Sequence, residues 1–196
     1  MYILRTIKPE IRILAFDDGP FEFGTRGKDV LIGTIFRGGL FLDGVLKTDI
    51  EIDGDDAEKK IIDLVNRTKH KDQLRVIMLD GITFAGLNIV NIKKIFESTH
   101  LPVIVINRKM PDFEKFLGAL RRSGNKRGLE CVEAAGPVYK FEIDKKYIYF
   151  QFAGCDKDVA ERVIKISTTH AAIPEPLRIA HLIATAIVRG ESIGRA

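Results

Sequence analysis

Hydrophobic and polar positions along this chain switch between a two-residue and a 3.6-residue period, and the switches divide it into elements. Ile11 to Phe16 is an apolar run closed by Asp17, which predicts a strand over about 11–17; a polar, glycine-containing loop runs on to Lys28. Val30 to Phe36 is a second, largely apolar strand, and Gly38-Gly39 supplies the turn after it. In the third run Leu40, Leu42, Leu46, Ile50 and Ile52 share one parity. Asp43, Lys47, Asp49, Glu51 and Asp53 share the other, the pattern of a strand with one wet face. Gly44 interrupts that alternation and predicts a bulge near Asp43-Gly44. Three antiparallel strands therefore open the chain.

The period then lengthens. Asp53-Gly54-Asp55-Asp56 precedes a helix carrying Ala57, Ile61, Leu64 and Val65 on one face, its acids placed where the helix dipole favours them. Val76 to Leu79 is a strand closed by Asp80; Asn88 to Glu97 reads as a helix, Pro102 to Asn107 as a buried strand, and Pro111 to Arg122 as a helix opened by proline. This β-α-β-α alternation implies parallel pairing with right-handed crossovers. A basic loop follows at 123–128. Two short runs, 138–143 and 147–152, then flank Asp144-Lys145-Lys146 as a hairpin. Helices at 157–167 and from Pro174-Glu175-Pro176, with Leu177, Ala180, Ala184 and Ile187 on one face of the second, complete the chain. The prediction is an α/β fold in one domain spanning 1–196: a central mixed sheet of three antiparallel strands followed by parallel ones, with helices on both faces.

Composition narrows the function classes without choosing one. With 196 residues, 45% of them hydrophobic and 30% charged, the chain has the material for a substantial core. A net charge of +4 permits a polyanionic partner without demanding one. Cys131 and Cys155 form no CxxC pair, and Met1 to Arg5 lacks a long apolar segment; buried thiols and a cytoplasmic location are the expectation, with no membrane insertion. No Walker loop, dinucleotide-binding glycine fingerprint, zinc-ligand cluster or Gly-x-Ser-x-Gly elbow is present.

The candidate chemistry lies at two strand ends. An acid at the carboxyl end of a buried strand points into the crevice where α/β sheets bind ligands, so Asp17 and Asp80 are candidates to share one divalent cation. The order of elements is that of the ribonuclease H-like fold, whose first and fourth strands are neighbours; it would set Asp17 beside Asp80. Carboxylates so placed in such enzymes hold Mg²⁺ or Mn²⁺ for phosphodiester hydrolysis.

The segments Phe16-Asp17-Asp18-Gly19-Pro20, Phe36-Arg37-Gly38-Gly39, Leu79-Asp80-Gly81-Ile82-Thr83 and Ile173-Pro174-Glu175-Pro176-Leu177-Arg178 resemble an archaeal family of uncharacterised proteins, domain of unknown function 99. That family is in turn similar to endonuclease V, a metal-dependent nuclease that cuts near deaminated bases such as inosine. The likeness implies that Asp17 and Asp80-Gly81 match acids ending the first and fourth strands of endonuclease V. It further implies a third acid between them, for which Asp53, Asp55, Asp56 and Glu58 are available and Asp56 is the choice. The Phe-Arg neighbours of that acid and the Pro-Tyr-Ile-Pro wedge of endonuclease V are not evident. A Gly-His pair before the last helix of those enzymes is matched loosely by Thr169-His170, which makes His170 a catalytic candidate; Glu175 is a further ligand candidate that helix capping also explains, and His181 reads as a packed or surface side chain. Arg37, Arg108, Lys109, Arg121, Arg122, Lys126 and Arg127 are candidates for tracking a nucleic-acid backbone. The expected function is metal-dependent phosphodiester hydrolysis in DNA or RNA, with a catalytically inactive nucleic-acid-binding or assembly module on the same scaffold as the alternative.

Overall fold

The computed structural model describes residues 7–22, 24–143 and 146–192. Its sheet takes β1 (Arg12–Asp18), β2 (Lys28–Arg37), β3 (Phe41–Glu51), β4 (Val76–Asp80), β7 (Val103–Asn107), β8 (Tyr139–Ile143) and β9 (Lys146–Ala153) in the order β3-β2-β1-β4-β7-β9-β8. β1, β4 and β7 run parallel and the other neighbours antiparallel. Between β4 and β7 a small ribbon, β5 (Thr83–Phe84) and β6 (Asn88–Ile89), stands apart. The helices are α1 (Ala57–Arg67), α2 (Ile92–Thr99), α3 (Phe113–Ser123), α4 (Lys126–Ala135), α5 (Lys157–Ser167) and α6 (Glu175–Arg189). This is the expected mixed sheet, with the first and fourth strands side by side.

Strand alternation sorts the side chains into two cores. Leu14, Phe16, Ile77, Leu79, Val103 and Val105 point to one face and pack with Ile61, Val65, Ile95, Leu120 and Cys131 of α1 to α4. Ile13, Ala15, Val76, Met78, Ile104 and Ile106 point to the other and meet Val163 and Ile164 of α5 and Leu177 of α6. Ala180 and Ala184 of α6 cover Val30 and Ile32. A strand buried on both faces reads as a near-continuous apolar run, which is why β1, β4 and β7 are conspicuous in the sequence. Thr34 fixes the start of α6 by donating its hydroxyl to Pro176 O at 2.7 Å.

The local structure refines the sequence pattern in several places. The expected bulge is present: Ile35 pairs with Gly44 but Phe36 with Leu42, leaving Asp43 as the extra residue, where it accepts from Arg12 Nε and Arg37 Nε at 3.0 Å each. That extra residue reverses the parity of what precedes it, so Leu40 and Leu42 do not continue the buried face of Leu46 and Ile50. They are exposed, as are Phe41 and Val45.

The segment read as one helix from Asn88 begins as β6. Asn88 is wholly buried with its carboxamide engaged elsewhere, and Asn91 caps α2 by accepting from Lys93 N and Lys94 N. Asp112 rather than Pro111 starts α3, accepting from Lys115 N. Half of the basic loop is the first turn of α4: Gly124, at φ +69°, ends α3 with a left-handed residue, and Asn125 caps α4 through Gly128 N at 2.7 Å. The β8–β9 hairpin and α5 fall as read; of the hairpin turn, Asp144 and Lys145 lie outside the described residues, as does the N-terminal segment 1–6. No helix among the described residues is long and apolar enough to cross a membrane.

Candidate metal and nucleic-acid site

Register sets the geometry. Phe16 sits beside Leu79 in the parallel β1–β4 pair, so the residues that follow, Asp17 and Asp80, leave the ladder level with one another. Both have the parity of Ala15 and Met78 and so point to the α5–α6 face. Asp17 is 5% exposed; its Oδ1 accepts from Asp18 N at 2.9 Å and its Oδ2 lies 2.9 Å from His181 Nδ1 on α6. Asp80 Oδ2 lies 3.6 Å from Nη2 of Arg108, one residue beyond the end of β7.

The electrostatics follow from this crowding. Burial, and then the charge of Asp17, push the Asp80 carboxyl up to about 7, against the opposing pull of Arg108 and His181. The hydrogen bond to Asp17 raises the imidazole of His181, outweighing the burial that opposes it. A buried carboxyl whose ionisation is opposed by the carboxylate beside it is a place where a cation is stabilised. Asp18 points to the opposite face, where it accepts from Ala85 N at 2.7 Å; burial and the charge of Asp17 push it up to about 8.

Among the described residues no group of three His, Cys, Asp or Glu side chains is spaced to enclose a metal alone. The pair Asp17 and Asp80 nevertheless fits Mg²⁺ or Mn²⁺. Mg²⁺ keeps several waters and is commonly held by one or two carboxylates together with substrate phosphate oxygens, so two hard oxygen donors at the rim of a sheet are a sufficient protein share.

The remaining candidates separate. Asp56 stands at the same end of the sheet but on the α1 side, where its Oδ1 accepts from Glu51 N at 3.0 Å and from Asn88 Nδ2 at 2.8 Å. Asn88 also donates to Glu51 O and accepts from Ala57 N, closing a clamp between β3, α1 and β6. Asp53 accepts from Leu87 N, and Glu58 accepts from Asn91 N and pairs with Arg127 at 3.3 Å. Asp55 is exposed.

His170 is placed at the other end of the strands. It is exposed, with its Nδ1 2.9 Å from Thr169 Oγ1, which donates to Gly39 O in the β2–β3 turn. Arg37 is at that far end too, paired with Asp43. Glu175 is tied to Arg178 Nε at 2.8 Å. Arg121, Arg122, Lys126 and Lys109 are exposed around α3 and the start of α4, whereas Arg127 donates to Ile89 O and holds α4 to β6. The structure thus brings together Asp17, Asp80 and Arg108 from the predicted set and adds His181. The signal for His181 is present in the sequence: it shares a helical stripe with Leu177 and Ala184, a polar residue on the face turned to the sheet.

Comparison with known proteins bears on the fold and the family. A solved Archaeoglobus fulgidus protein of unknown function is 38% identical, with a TM-score of 0.82, covering 92% of this chain and 99% of its own. Ciona intestinalis endonuclease V, in complex with a 24mer DNA containing an inosine followed by a ribo-adenosine, has the same fold at 13% identity and a TM-score of 0.57, over 87% of this chain and 82% of that one. This establishes the ribonuclease H-like fold. A UPF0215 protein of Methanothermobacter thermautotrophicus is 49% identical over 194 residues, 98% of this chain and 95% of its own length. The family model Endonuclease dU matches residues 9–188, and the chain belongs to that family.

Proposed function

We propose that this protein is a divalent-metal-dependent endonuclease that hydrolyses a phosphodiester of DNA near deoxyuridine. The observation carrying the reading is the level pair Asp17 and Asp80 on adjacent parallel strands, flanked by His181 and Arg108. The family's description supports deoxyuridine, and the DNA-bound structural neighbour supports nucleic acid as the partner.

Asp17 and Asp80 would hold the ion. When bound, Mg²⁺ or Mn²⁺ supplies neutralisation of phosphate charge and acidification of a water. His181 fixes which Asp17 oxygen faces the opening, and Arg108 holds Asp80 while adding positive charge where a phosphate would arrive. Arg121, Arg122, Lys126 and Lys109 would position the flanking backbone.

The test supplies Mg²⁺ or Mn²⁺ with single- and double-stranded DNA and RNA carrying deoxyuridine, inosine or neither. Metal-dependent cleavage by the wild-type chain, lost in Asp17→Asn and Asp80→Asn, is the expected result; no cleavage under any condition, or full cleavage by both variants, refutes it. That no three His, Cys, Asp or Glu side chains among the described residues are spaced to hold a metal favours a second reading, a non-catalytic nucleic-acid-binding module. It requires salt-sensitive binding without turnover that survives both substitutions.

A further inference from the structure

β3 is an edge strand: among the described residues no strand pairs with its outer side. An edge presents backbone donors and acceptors to any strand that fits it. Which groups of β3 are free follows from the pairs further in. Gly19 N–H bonds to Val30 O and Ile52 N–H to Gly27 O, so even residues of β2 bond to β1 and odd ones to β3. Leu46, Thr48 and Ile50 therefore turn their backbone groups to β2, and Val45, Lys47, Asp49 and Glu51 turn theirs outward. Glu51 is already engaged, its N–H donating to Asp56 Oδ1 and its oxygen accepting from Asn88 Nδ2. At the other end the bulge at Asp43 breaks the pleat. The open stretch is 45–50.

Its side chains are sorted by face. Val45, Lys47 and Asp49 stand opposite Thr34, Ile32 and Val30; α6 covers Ile32 and Val30, and the three residues of β3 beyond it are exposed. Leu46, Thr48 and Ile50 are on the α1 side, where Ile50 is buried and Leu46 and Thr48 are half-buried. Alternating charges of opposite sign repel most strands laid against this edge. They accept a strand that carries the same order in reverse, and β3 of a second copy is such a strand when it runs antiparallel.

The registers that set outward residues against outward residues differ in charge. With Leu46 on the two-fold axis, Asp49 meets Asp43 of the second copy, and with Lys47 on it, Lys47 meets itself. With Val45 there, Lys47 falls opposite the bulged Asp43, which Arg12 and Arg37 already hold. With Thr48 on the axis, Lys47 meets Asp49 of the second copy, and Asp49 its Lys47. On the other face Thr48 then meets Thr48, and Leu46 meets Ile50.

We propose that the protein self-associates through β3, antiparallel about a two-fold axis at Thr48, continuing the sheet from one copy into the next. Lys47 and Asp49 of opposite copies exchange both backbone hydrogen bonds, with their ion pairs on the α6 face and the threonine and leucine–isoleucine pairs on the other. The pairing is independent of the nuclease reading. Its interface is small, so the affinity is micromolar or weaker.

The test is sedimentation of the whole chain. The wild-type coefficient should rise with concentration over roughly 10–500 µM, the range of a small interface. Lys47→Glu and Asp49→Lys, each of which sets like charges opposite in both ion pairs, should each weaken association about tenfold or more. The two variants mixed should associate at least as tightly as wild type, because the mixture restores opposite charges in both pairs. Thr48→Cys should cross-link under mild oxidation. Val45→Cys, more exposed but roughly 20 Å from its twin in this register, should not. The wild-type chain, with Cys131 buried and Cys155 half-buried, is the control for both.

A wild-type chain that stays monomeric over that range overturns the proposal. So does a mixture no tighter than its components, or a Val45→Cys chain that cross-links as readily as Thr48→Cys. Thermal melts establish that the variants fold, and the recovery on mixing is a result that misfolding does not produce.

Discussion

Replacing Asn88 with alanine tests the clamp at the edge of the site and, through it, the role of Asp56. Asn88 is wholly buried; its carboxamide donates to Glu51 O and Asp56 Oδ1 and accepts from Ala57 N, at 2.8 to 3.0 Å. Alanine leaves the first N–H of α1 buried without a partner and removes the bridge to β3. An orphaned buried polar group costs about 1–3 kcal/mol, so the loss should be about 3 kcal/mol, a large share of the roughly 10 kcal/mol expected of a chain this size. With a urea m-value of about 3 kcal/mol/M, the midpoint should fall by about 1 M and Tm by about 6–12 °C. Asn88→Asp, which sets a second anionic oxygen against Asp56, should cost more at pH 7 than at pH 4. A midpoint shift under about 0.3 M for Asn88→Ala would mean the clamp is not a unit. Asp56→Asn keeps the accepting oxygen and should leave Mn²⁺ affinity unchanged; a tenfold loss would make Asp56 a ligand after all.

Other outcomes follow from features elsewhere. Burial opposes ionisation of Asp43, but the hydrogen bonds and charges of Arg37 and Arg12 outweigh it and hold the carboxyl below its ordinary range. Its contribution to stability is therefore present above the unfolded value near 3.8 and lost as pH falls through the folded value; Asp43→Asn should cost about 1 kcal/mol at pH 7, with the urea-midpoint gap closing as pH falls below 3.8. Burial, and then Asp156, push the Cys155 thiol up to about 12, and burial raises Cys131 as well. At pH 8 only about one Cys155 in ten thousand is thiolate, so iodoacetamide should label the native protein at least ~100-fold more slowly than the urea-unfolded one. Arg121→Glu with Arg122→Glu should weaken DNA binding equally for dU-containing and ordinary duplexes and make the log–log salt slope shallower by about one unit for each phosphate no longer neutralised; an unchanged slope removes these residues from the interface.

The framework was legible because its signals are intrinsic to short stretches. β1 and β4 are buried on both faces and read as apolar runs, their terminal acids stand out against them, and Gly44 marks the bulge. The pattern misleads where the deciding interaction is distant in the chain. Asn88 sits in a helix-like pattern but is fixed by Glu51 and Ala57, more than thirty residues upstream. The basic character of 123–128 conceals a helix whose buried side chains, Cys131, Val132 and Ala135, come after the buried Gly128. Asp56 has the position of a ligand and the partners of a clamp, a difference only coordinates express. His181 and His170 exchange importance because a periodic stripe does not reveal what the opposite surface carries, and here it carries Asp17.

The β-pleat at the ends of β4 and β7 works as a divider. Asp80 and Gly81, and likewise Asn107 and Arg108, are consecutive residues sent to opposite compartments, one ionic and the other a cavity of about 240 Å³ lined by Ile82, Phe113 and Phe116. The spacing between the two compartments is thus built from single peptide units of about 3.8 Å, shorter than any loop could hold reproducibly. Adding or deleting one residue at 79–81 or 106–108 would exchange guanidinium for amide across the divider while leaving the apolar strands behind it able to pair, so this short stretch should tolerate length changes far less than the α3–α4 junction at Gly124.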